Sequence, residues 1–503
     1  MATMIQRYVF LALSALFISS SAFANNVTVS NVALTGQDAT NDYVFVEFDT
    51  GWENSWRTSS APNNWDAVWV FVKYKVGSGD WQHATLSGTT SNHTAPSGST
   101  ITPPSDGKGA FIYRSVDGSG TVSLSDARLR WNYGTDGVAD DAQVALKVIA
   151  TEMVYVPTGA FSAGSGGTGT KEFTLTTINT GSATVAGGYP TGNSGTTASQ
   201  TAPDSDSWPN GYNVFYCMKY GITQEQYMDF LNTLDRTQQD TRTGTNLASG
   251  ITSVTRRYVM SNTTSMSSRN GIRCDATIPA TGTITFYCDY NGNGIGGDFD
   301  DGQHIACNSL SWADGAAYAD WAALRPMTEL EFEKACRGTA AAVADEYAWG
   351  STSITQATGI TNSGAGNETA SNAGANCAYD FHASVQGPMR VGCFATSGST
   401  RETAGATYYG IMEMSGNLSK LCVTIGDSNG RSFTGSHGDG AMDSTGNANA
   451  GSWPGTSGSG MGQRGGNWVN DATFTRVSDR TYASNPSDLR LATYEFLCVR
   501  LDP

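Results

Sequence analysis

The sequence predicts two domains, an N-terminal all-β sandwich-like domain followed by an irregular α/β domain with few short helices. The chain has 503 residues, which is longer than one hydrophobic core usually organises. Up to about residue 150, apolar and polar residues alternate as they do in strands. Beyond that point Gly, Ser and Thr are abundant, and only a few segments have helical spacing.

The first 24 residues have the pattern of a secretory signal peptide. Arg7 provides the positive charge, residues 8–18 are apolar, and residues 22–24 form a small-x-small cleavage signal. The apolar run is shorter than the ~20 residues that a membrane-spanning helix needs, which disfavours a retained anchor. We therefore predict cleavage near Ala24, no membrane insertion, and a mature protein that is secreted, periplasmic or at the cell surface.

Residues 25–150 form the predicted β domain. Its strand-like runs are residues 43–50, 65–76, 109–115 and 141–150. Each run is rich in β-branched or aromatic residues, and turn-forming stretches such as "GSGD" and "PPSDGKG" lie between the runs. Several short strands separated in this way are typical of a sandwich.

Three helices are predicted after residue 150. Thr223 and Thr328 each open a capping box, and a further helix follows Ser311. Gly338 is the expected end of the helix that begins at Thr328. Short helices in long irregular segments usually need disulfides or metal ions to hold the loops.

Nine cysteines all lie after residue 216. Disulfides are expected in an oxidising compartment, and an odd number leaves at least one thiol unpaired or intermolecular. Cys288 and Cys307 bracket one loop and are plausible partners, with Cys274 as a competitor. The charge balance points away from polyanions, because 45 acidic residues oppose 29 basic ones and no basic run occurs. We expect no nucleic-acid partner.

The stretch "DYNGNGIGGDFDDGQ" from residue 289 has the spacing of a calcium-binding loop. Such a loop supplies oxygen ligands at positions 1, 3, 5, 7 and 12, with glycine at position 6. The matching ligands are Asp289, Asn291, Asn293, the carbonyl of Ile295, and Asp300, with Gly294 at the turn. The alternative is a Gly, Asn and Asp turn that binds nothing. We predict calcium as a cofactor that stabilises this loop.

Five motifs follow one another after residue 150. They are "EMVYVPTGAFSAGS" from Glu152, "VFYCMKYGITQEQYMDFLN" from Val214, "CNSLSWADGAAYADWAALRPMTELEFEKACRG" from Cys307, "YYGIMEMSGNLSKLC" from Tyr408, and "RGGNWVNDATFTRVSDR" from Arg464 with "EFLCVR" ending at Arg500. In this order they resemble the sulfatase-modifying-factor family, which contains the formylglycine-generating enzymes. The resemblance covers residues 151–503 and implies a compact α/β domain of the C-type-lectin-like type, often calcium-bound.

The resemblance implies a copper site that this sequence does not reproduce. Family oxidases hold copper with two cysteines, one four residues after the Arg-Gly-Gly turn and the other five residues later. Asn470 and Thr475 take those places here, and neither can bind Cu(I) as a thiolate does. Copper is therefore not expected, and no catalytic residue is assigned.

The resemblance also implies a second calcium site, at the turn Gly416-Asn417. Where the family continues to a glutamate ligand, this chain has Lys420, whose charge would repel a cation. We carry over only Asn417 as a metal ligand and expect the site to be lost.

The segment from residue 464 to 485 combines a scaffold with a candidate binding surface. Arg464, the two glycines and Trp468 are interpreted as a structural turn and a core anchor. The residues considered for ligand contact are Asn467, Trp468, Asn470, Phe474, Arg476, Asp479, Arg480 and Tyr482. Small polar and aromatic side chains on a rigid support are typical of an adaptable binding face. The alternative is ordinary polar surface, with arginines that tie loops together.

These observations favour a secreted, non-catalytic recognition or surface protein with calcium-stabilised loops, whose partner is a protein or glycan. One alternative is an oxidoreductase of the same family with an unrecognised active site, in which Cys422 or Cys498 would lie free beside Arg464. A structural surface-layer or matrix component is the other alternative.

Overall fold

The computed structural model describes residues 27–195 and 200–501. The predicted signal peptide and its cleavage site at Ala24 lie outside these residues. Within the described ranges, no helix has the length and apolar character that crossing a membrane requires. The fold is mainly β, and the five short α-helices in the described part of the chain agree with the prediction of few short helices.

The first eight strands include most of the long ones. They are β1 (Thr28–Asp38), β2 (Tyr43–Arg57), β3 (Asp66–Val76), β4 (Gln82–His83), β5 (Ser99–Thr102), β6 (Ala110–Arg114), β7 (Gly118–Trp131) and β8 (Val144–Val156). Strands β1, β2 and β7 form an antiparallel sheet in the order β1-β2-β7. Alternate residues of β2, such as Val46 and Phe48, are fully buried in an apolar core that they share with residues of β3. This is the period-two burial that the sequence predicts.

The remaining strands are short. They are β9 (Phe161–Ala163), β10 (Thr176–Ile178), β11 (Phe215–Met218), β12 (Ile272–Arg273), β13 (Tyr287–Cys288), β14 (Arg325–Pro326), β15 (Ile360–Thr361), β16 (Thr369–Ala370), β17 (Ser419–Val423), β18 (Met461–Arg464), β19 (Tyr494–Glu495) and β20 (Cys498–Leu501). A three-stranded sheet in the order β18-β17-β19 brings the Arg464 turn beside the chain's C-terminal segment.

The helices are α1 (Gln224–Leu231), α2 (Arg236–Thr241), α3 (Trp312–Trp321), α4 (Glu329–Arg337) and α5 (Ser428–Arg431). The three predicted helix starts are confirmed, with Thr223, Ser311 and Thr328 as N-caps that each complete a capping box. Gly338 ends α4 as expected, at φ 63°. Helix α2 also begins with a capping box, at Asp235, which the sequence analysis missed.

One large sheet crosses the predicted domain boundary. Its order is β14-β20-β11-β8-β3-β6-β5, with β4 paired to β3. The boundary at residue 150 lies inside β8, which pairs with β3 on one edge and β11 on the other. Residues before and after the boundary therefore share backbone hydrogen bonds in one sheet.

Strand β3 supplies side chains to two cores. Val68, Val70 and Val72 face the sheet of β1, β2 and β7. Trp69 and Phe71 point to the opposite side, towards the helices that follow residue 223. The Trp69 indole N–H donates to the carbonyl of Ala322 at 2.9 Å, and the Phe71 ring meets Trp321 edge-on at 5.1 Å. A strand that is buried on both faces has a continuous run of apolar residues, and this accounts for the sequence "AVWVFV" in β3.

The disulfide prediction is wrong for this structure. The described residues include all nine cysteines, and every one is a buried free thiol. Cys274, Cys288 and Cys307 lie in the largest apolar cluster, where they pack as small hydrophobic side chains. Apolar packing and buried ion pairs hold the long loops instead.

Candidate functional site

Two arginines of the candidate segment are anchors inside the fold. Both oxygens of Glu329 accept hydrogen bonds from Arg480, each at 2.8 Å, and Arg464 bridges Glu329 and Glu333 at 3.1 and 2.6 Å. Both guanidinium groups are fully buried. Although burial favours the neutral acid, the two arginines hold the pKa of Glu329 below its ordinary value. The network fastens the segment to α4.

The glycine turn and tryptophan are structural as well. Gly465 has φ +76°, and a Cβ there would lie 2.2 Å from the carbonyl oxygen of Met414, so only glycine fits. Trp468 is 8% exposed and donates its indole N–H to Ala492 at 3.1 Å. Asn467 is buried and donates its amide to the Ser419 hydroxyl at 2.9 Å. Together with Arg480, these side chains are occupied by internal contacts.

A different subset of the predicted residues reaches solvent. The rings of Phe474 and Tyr482 stack with centroids 5.5 Å apart and planes inclined by 13°, and Tyr482 is 37% exposed. Arg476 lies in the same segment and pairs with Asp345 at 2.9 Å, both side chains about a quarter exposed. Asp345 also accepts from the backbone and hydroxyl of Thr168 at 3.1 and 3.0 Å. The sequence analysis missed Asp345, because no local pattern links it to the segment.

The other two candidates are only partly accessible. Asn470 is half-buried, and its backbone carbonyl accepts from Asp380 at 2.7 Å. The Asp479 carboxylate accepts from the backbone and hydroxyl of Thr481 at 3.2 and 3.0 Å. Next to Asn470, Phe381 is 54% exposed, with its ring 5.9 Å from Trp468. Two groups of aromatic side chains therefore reach solvent in this region, the stacked pair Phe474 and Tyr482 and the separate ring of Phe381.

The predicted calcium loop is ordered by hydrogen bonds. Asp289 is fully buried, forms an ion pair with Arg273 and accepts from the Gly294 N–H at 3.1 Å. The amide oxygen of Asn291 accepts from the backbone of Asn293 at 3.0 Å. The Asn293 oxygen in turn accepts from the Ile295 N–H at 2.7 Å. The amide nitrogens of the two asparagines donate to Asp300 and Asp298, at 2.9 and 2.7 Å.

Two buried oxygens of this loop lack a hydrogen-bond donor. Asp301 is fully buried; one of its oxygens accepts from the Asp298 N–H at 2.8 Å, and the other has no partner. The side-chain oxygen of Gln303 is also buried and unpartnered. Burial, with smaller contributions from Asp298 and Asp289, raises the pKa of Asp301 to about 6. Oxygens without donors are the ligand type of hard cations, so these two atoms are of a kind that suits calcium.

The acidic groups of this loop do not form a compact cluster. Among the described residues, no three His, Cys, Asp or Glu side chains are arranged as a metal site. A cation here would therefore depend on amide and carbonyl oxygens as well as carboxylates.

Comparison of the sequence with models of known protein families identifies its family. A family model described as the sulfatase-modifying factor enzyme 1-like domain matches residues 140–500. The chain belongs to this family. The match begins eleven residues before the predicted start at residue 151 and includes all of β8. No curated protein matches the sequence.

Asn470 and Thr475 stand at the two positions where the resemblance implies copper thiolates. Thr475 is fully buried, and its hydroxyl donates to the Ala472 carbonyl at 2.8 Å within a 3₁₀ turn, Ala472–Thr475. The nearby Ser415 hydroxyl donates to the Thr475 carbonyl at 2.6 Å. Both the hydroxyl and the carbonyl of Thr475 are therefore used in hydrogen bonds inside the protein.

Cys422 and Cys498 are the two thiols of which the oxidoreductase alternative requires one to be free beside Arg464. Cys422 and Cys498 are both fully buried, and burial raises the pKa of each thiol well above its ordinary value. Reactive cysteines have a lowered pKa and partial exposure. Neither environment activates a thiol.

The second family calcium position holds a lysine that points inward. Asn417 is buried, and its amide oxygen accepts from the Met389 N–H at 2.8 Å. Lys420 is fully buried beside it, within hydrogen-bond distance of backbone oxygens of the same turn. An ammonium group thus lies in the turn from which the resemblance implies a metal ligand.

Proposed function

We propose that this family member is a secreted, non-catalytic recognition protein, built on a C-type-lectin-like fold, that binds a glycan through the exposed part of residues 470–482. The observation that carries the proposal is the stacked pair Phe474 and Tyr482 in the same segment as the Arg476–Asp345 ion pair. Asn470 and Thr475 at the copper positions support the absence of oxidase chemistry.

The chemistry of these side chains suits a saccharide. An aromatic ring presents a flat apolar face against which the C–H face of a sugar can pack, and the hydroxyl of Tyr482 adds a polar group at the edge of its ring. The guanidinium of Arg476, in the same segment, and the carboxylate of Asp345 offer paired donors and acceptors for hydroxyl groups of a sugar. The surface is also preorganised, because buried Arg480 and Arg464 fix the backbone that carries it.

A glycan array probed with the full mature chain tests the proposal. Phe474→Ala and Tyr482→Ala should each weaken binding to any retained glycan by at least about tenfold, the equivalent of 1.4 kcal/mol. Val116→Ala is the matched control, because Val116 is 67% exposed in another part of the fold. Binding that all three variants lose equally, or none loses, would contradict a glycan surface at this place.

The oxidase alternative is tested separately. The protein is incubated with a cysteine peptide carrying the sulfatase motif, oxygen and copper, and the peptide mass is followed. We expect no change, because the copper positions hold no thiolate. A copper-dependent mass loss at the peptide cysteine would refute the non-catalytic assignment.

We also propose that calcium binds in the loop of residues 289–303 and stabilises the surrounding fold. At a hundred times its dissociation constant, a ligand of the native state stabilises by about 2.7 kcal/mol. Asp300→Ala and Asp301→Asn should reduce this gain. Asp289→Ala should also reduce it, although the loss of the Arg273 partner adds an effect that does not need calcium. Equal chelator sensitivity in all variants and the parent would place the ion elsewhere.

Export is part of the same proposal and rests on residues 1–24. N-terminal sequencing of the protein recovered outside the cytoplasm should begin at Asn25. An intact N-terminus on a cell-associated product would contradict it.

A further inference from the structure

Lys420, in β17, is held by oxygen atoms and has no exposed surface. Its ammonium donates to the carbonyl oxygens of Gly416 and Leu418, both at 2.6 Å. The carboxylate of Glu495 lies 3.2 Å away and is itself buried. Three oxygens therefore surround a group that has three N–H donors.

The backbone sets the positions of these oxygens. Lys420 and Glu495 are register partners in the parallel pair β17 and β19, so their side chains leave the same face of the sheet. Gly416 and Asn417 adopt φ +75° and +62°, which turns the chain before β17. A Cβ at Gly416 would lie 2.3 Å from the Cys377 sulfur, so this turn requires glycine. The oxygen cage is thus built by the turn and the sheet, independently of the lysine stem.

A third buried side chain, Glu413, lies within electrostatic range of Lys420 and Glu495. Glu413 is buried nearby and accepts from the Gly392 N–H at 2.8 Å with one oxygen, while its other oxygen has no hydrogen-bond partner. Burial is the main cause that raises the pKa of Glu413 to about 8; Glu495 adds to this rise and Lys420 opposes it. A buried carboxyl with a vacant acceptor lies next to a buried ion pair.

We infer that these oxygens form a cation site that the chain fills with its own side chain, the ammonium of Lys420. Carbonyl and carboxylate oxygens without competing donors are the ligands of hard cations such as calcium. Because the ammonium is part of the chain itself, the junction of β17, β18 and β19 does not depend on a metal ion that can dissociate. This inference does not depend on the proposed ligand surface or on the loop of residues 289–303.

The test removes the stem of Lys420 and supplies a cation from solution. Lys420→Ala opens space within the oxygen cage, whereas Lys420→Met removes the charge and keeps the space filled. We expect calcium or ammonium chloride to raise the melting temperature of Lys420→Ala by about 2–3 °C more than that of Lys420→Met at matched ionic strength. Calcium bound at residues 289–303 contributes equally to both variants and cancels. An equal response of the two variants would overturn the inference.

A second pair of variants covers the case in which Lys420→Ala does not fold. If the ammonium serves to neutralise Glu495, the double variant Lys420→Met/Glu495→Gln should melt above Lys420→Met alone, because no buried charge is left unpaired. A double variant that melts at or below the single variant would contradict the role assigned to the ammonium.

Discussion

Arg480→Ala and Arg476→Ala form a matched pair, because the two arginines lie four residues apart in the segment of residues 464–485. Arg480 is fully buried and makes a bidentate pair with Glu329, two further hydrogen bonds to Asn193 and Gln200, and a cation–π contact with Phe173 at 3.7 Å. Removing one partner of a buried ion pair costs about 3–5 kcal/mol. Glu329 keeps Arg464 as a partner, so we expect the lower end of this range.

Arg476 provides the contrasting case. Its pair with Asp345 leaves the two side chains 26% and 21% exposed, and pairs of that kind contribute about 0–1 kcal/mol. The expected difference between the two variants is therefore at least about 2 kcal/mol in the free energy of unfolding.

Equilibrium urea unfolding followed by tryptophan fluorescence measures both values, and urea avoids the charge screening that guanidinium would add. Arg480→Lys should fall between Arg480→Ala and the parent, because lysine keeps the charge but lacks the two-pronged donor. Equal losses for Arg480→Ala and Arg476→Ala would refute the distinction between scaffold and surface arginines.

Three further outcomes are expected. Trp468→Ala should cost about 3–5 kcal/mol of stability, whereas Phe474→Ala and Tyr482→Ala should each change it by only about 0.5 kcal/mol in urea melts; comparable losses would show that the stacked rings are core. None of the nine cysteines should react with iodoacetamide in the native protein, since burial raises the pKa of every thiol, and mass spectrometry should find nine modified sites only after denaturation. Glu329→Gln should destabilise more at about pH 7 than at about pH 3: the folded pKa lies below the ordinary 4.5, so the contribution of the carboxylate is present above that value and is lost as the pH falls through the folded pKa. A destabilisation that does not depend on pH would show that the charge of Glu329 is unimportant.

Local features of this fold could be predicted from the sequence because they depend on neighbouring residues. Thr223, Ser311 and Thr328 cap helices through hydrogen bonds that reach only three residues along the chain. The alternation in β2 similarly records which face of a strand is buried. Five ordered motifs were sufficient to indicate the family, which the match to residues 140–500 confirms.

The tertiary structure decided what depends on contacts between distant residues. The sequence could not distinguish buried Arg480 from Arg476, which is about a quarter exposed, because the burial of Arg480 is set by Glu329, more than a hundred residues away. Nor could it show that β8 joins two regions in one sheet, or that the thiols stay unpaired. Lys420 is the clearest case: its charge suggested only repulsion of a metal, whereas the turn at Gly416 and the register with Glu495 surround it with oxygens. Sequence patterns record local backbone preferences, but the partner of a buried charge is determined only when remote segments pack together.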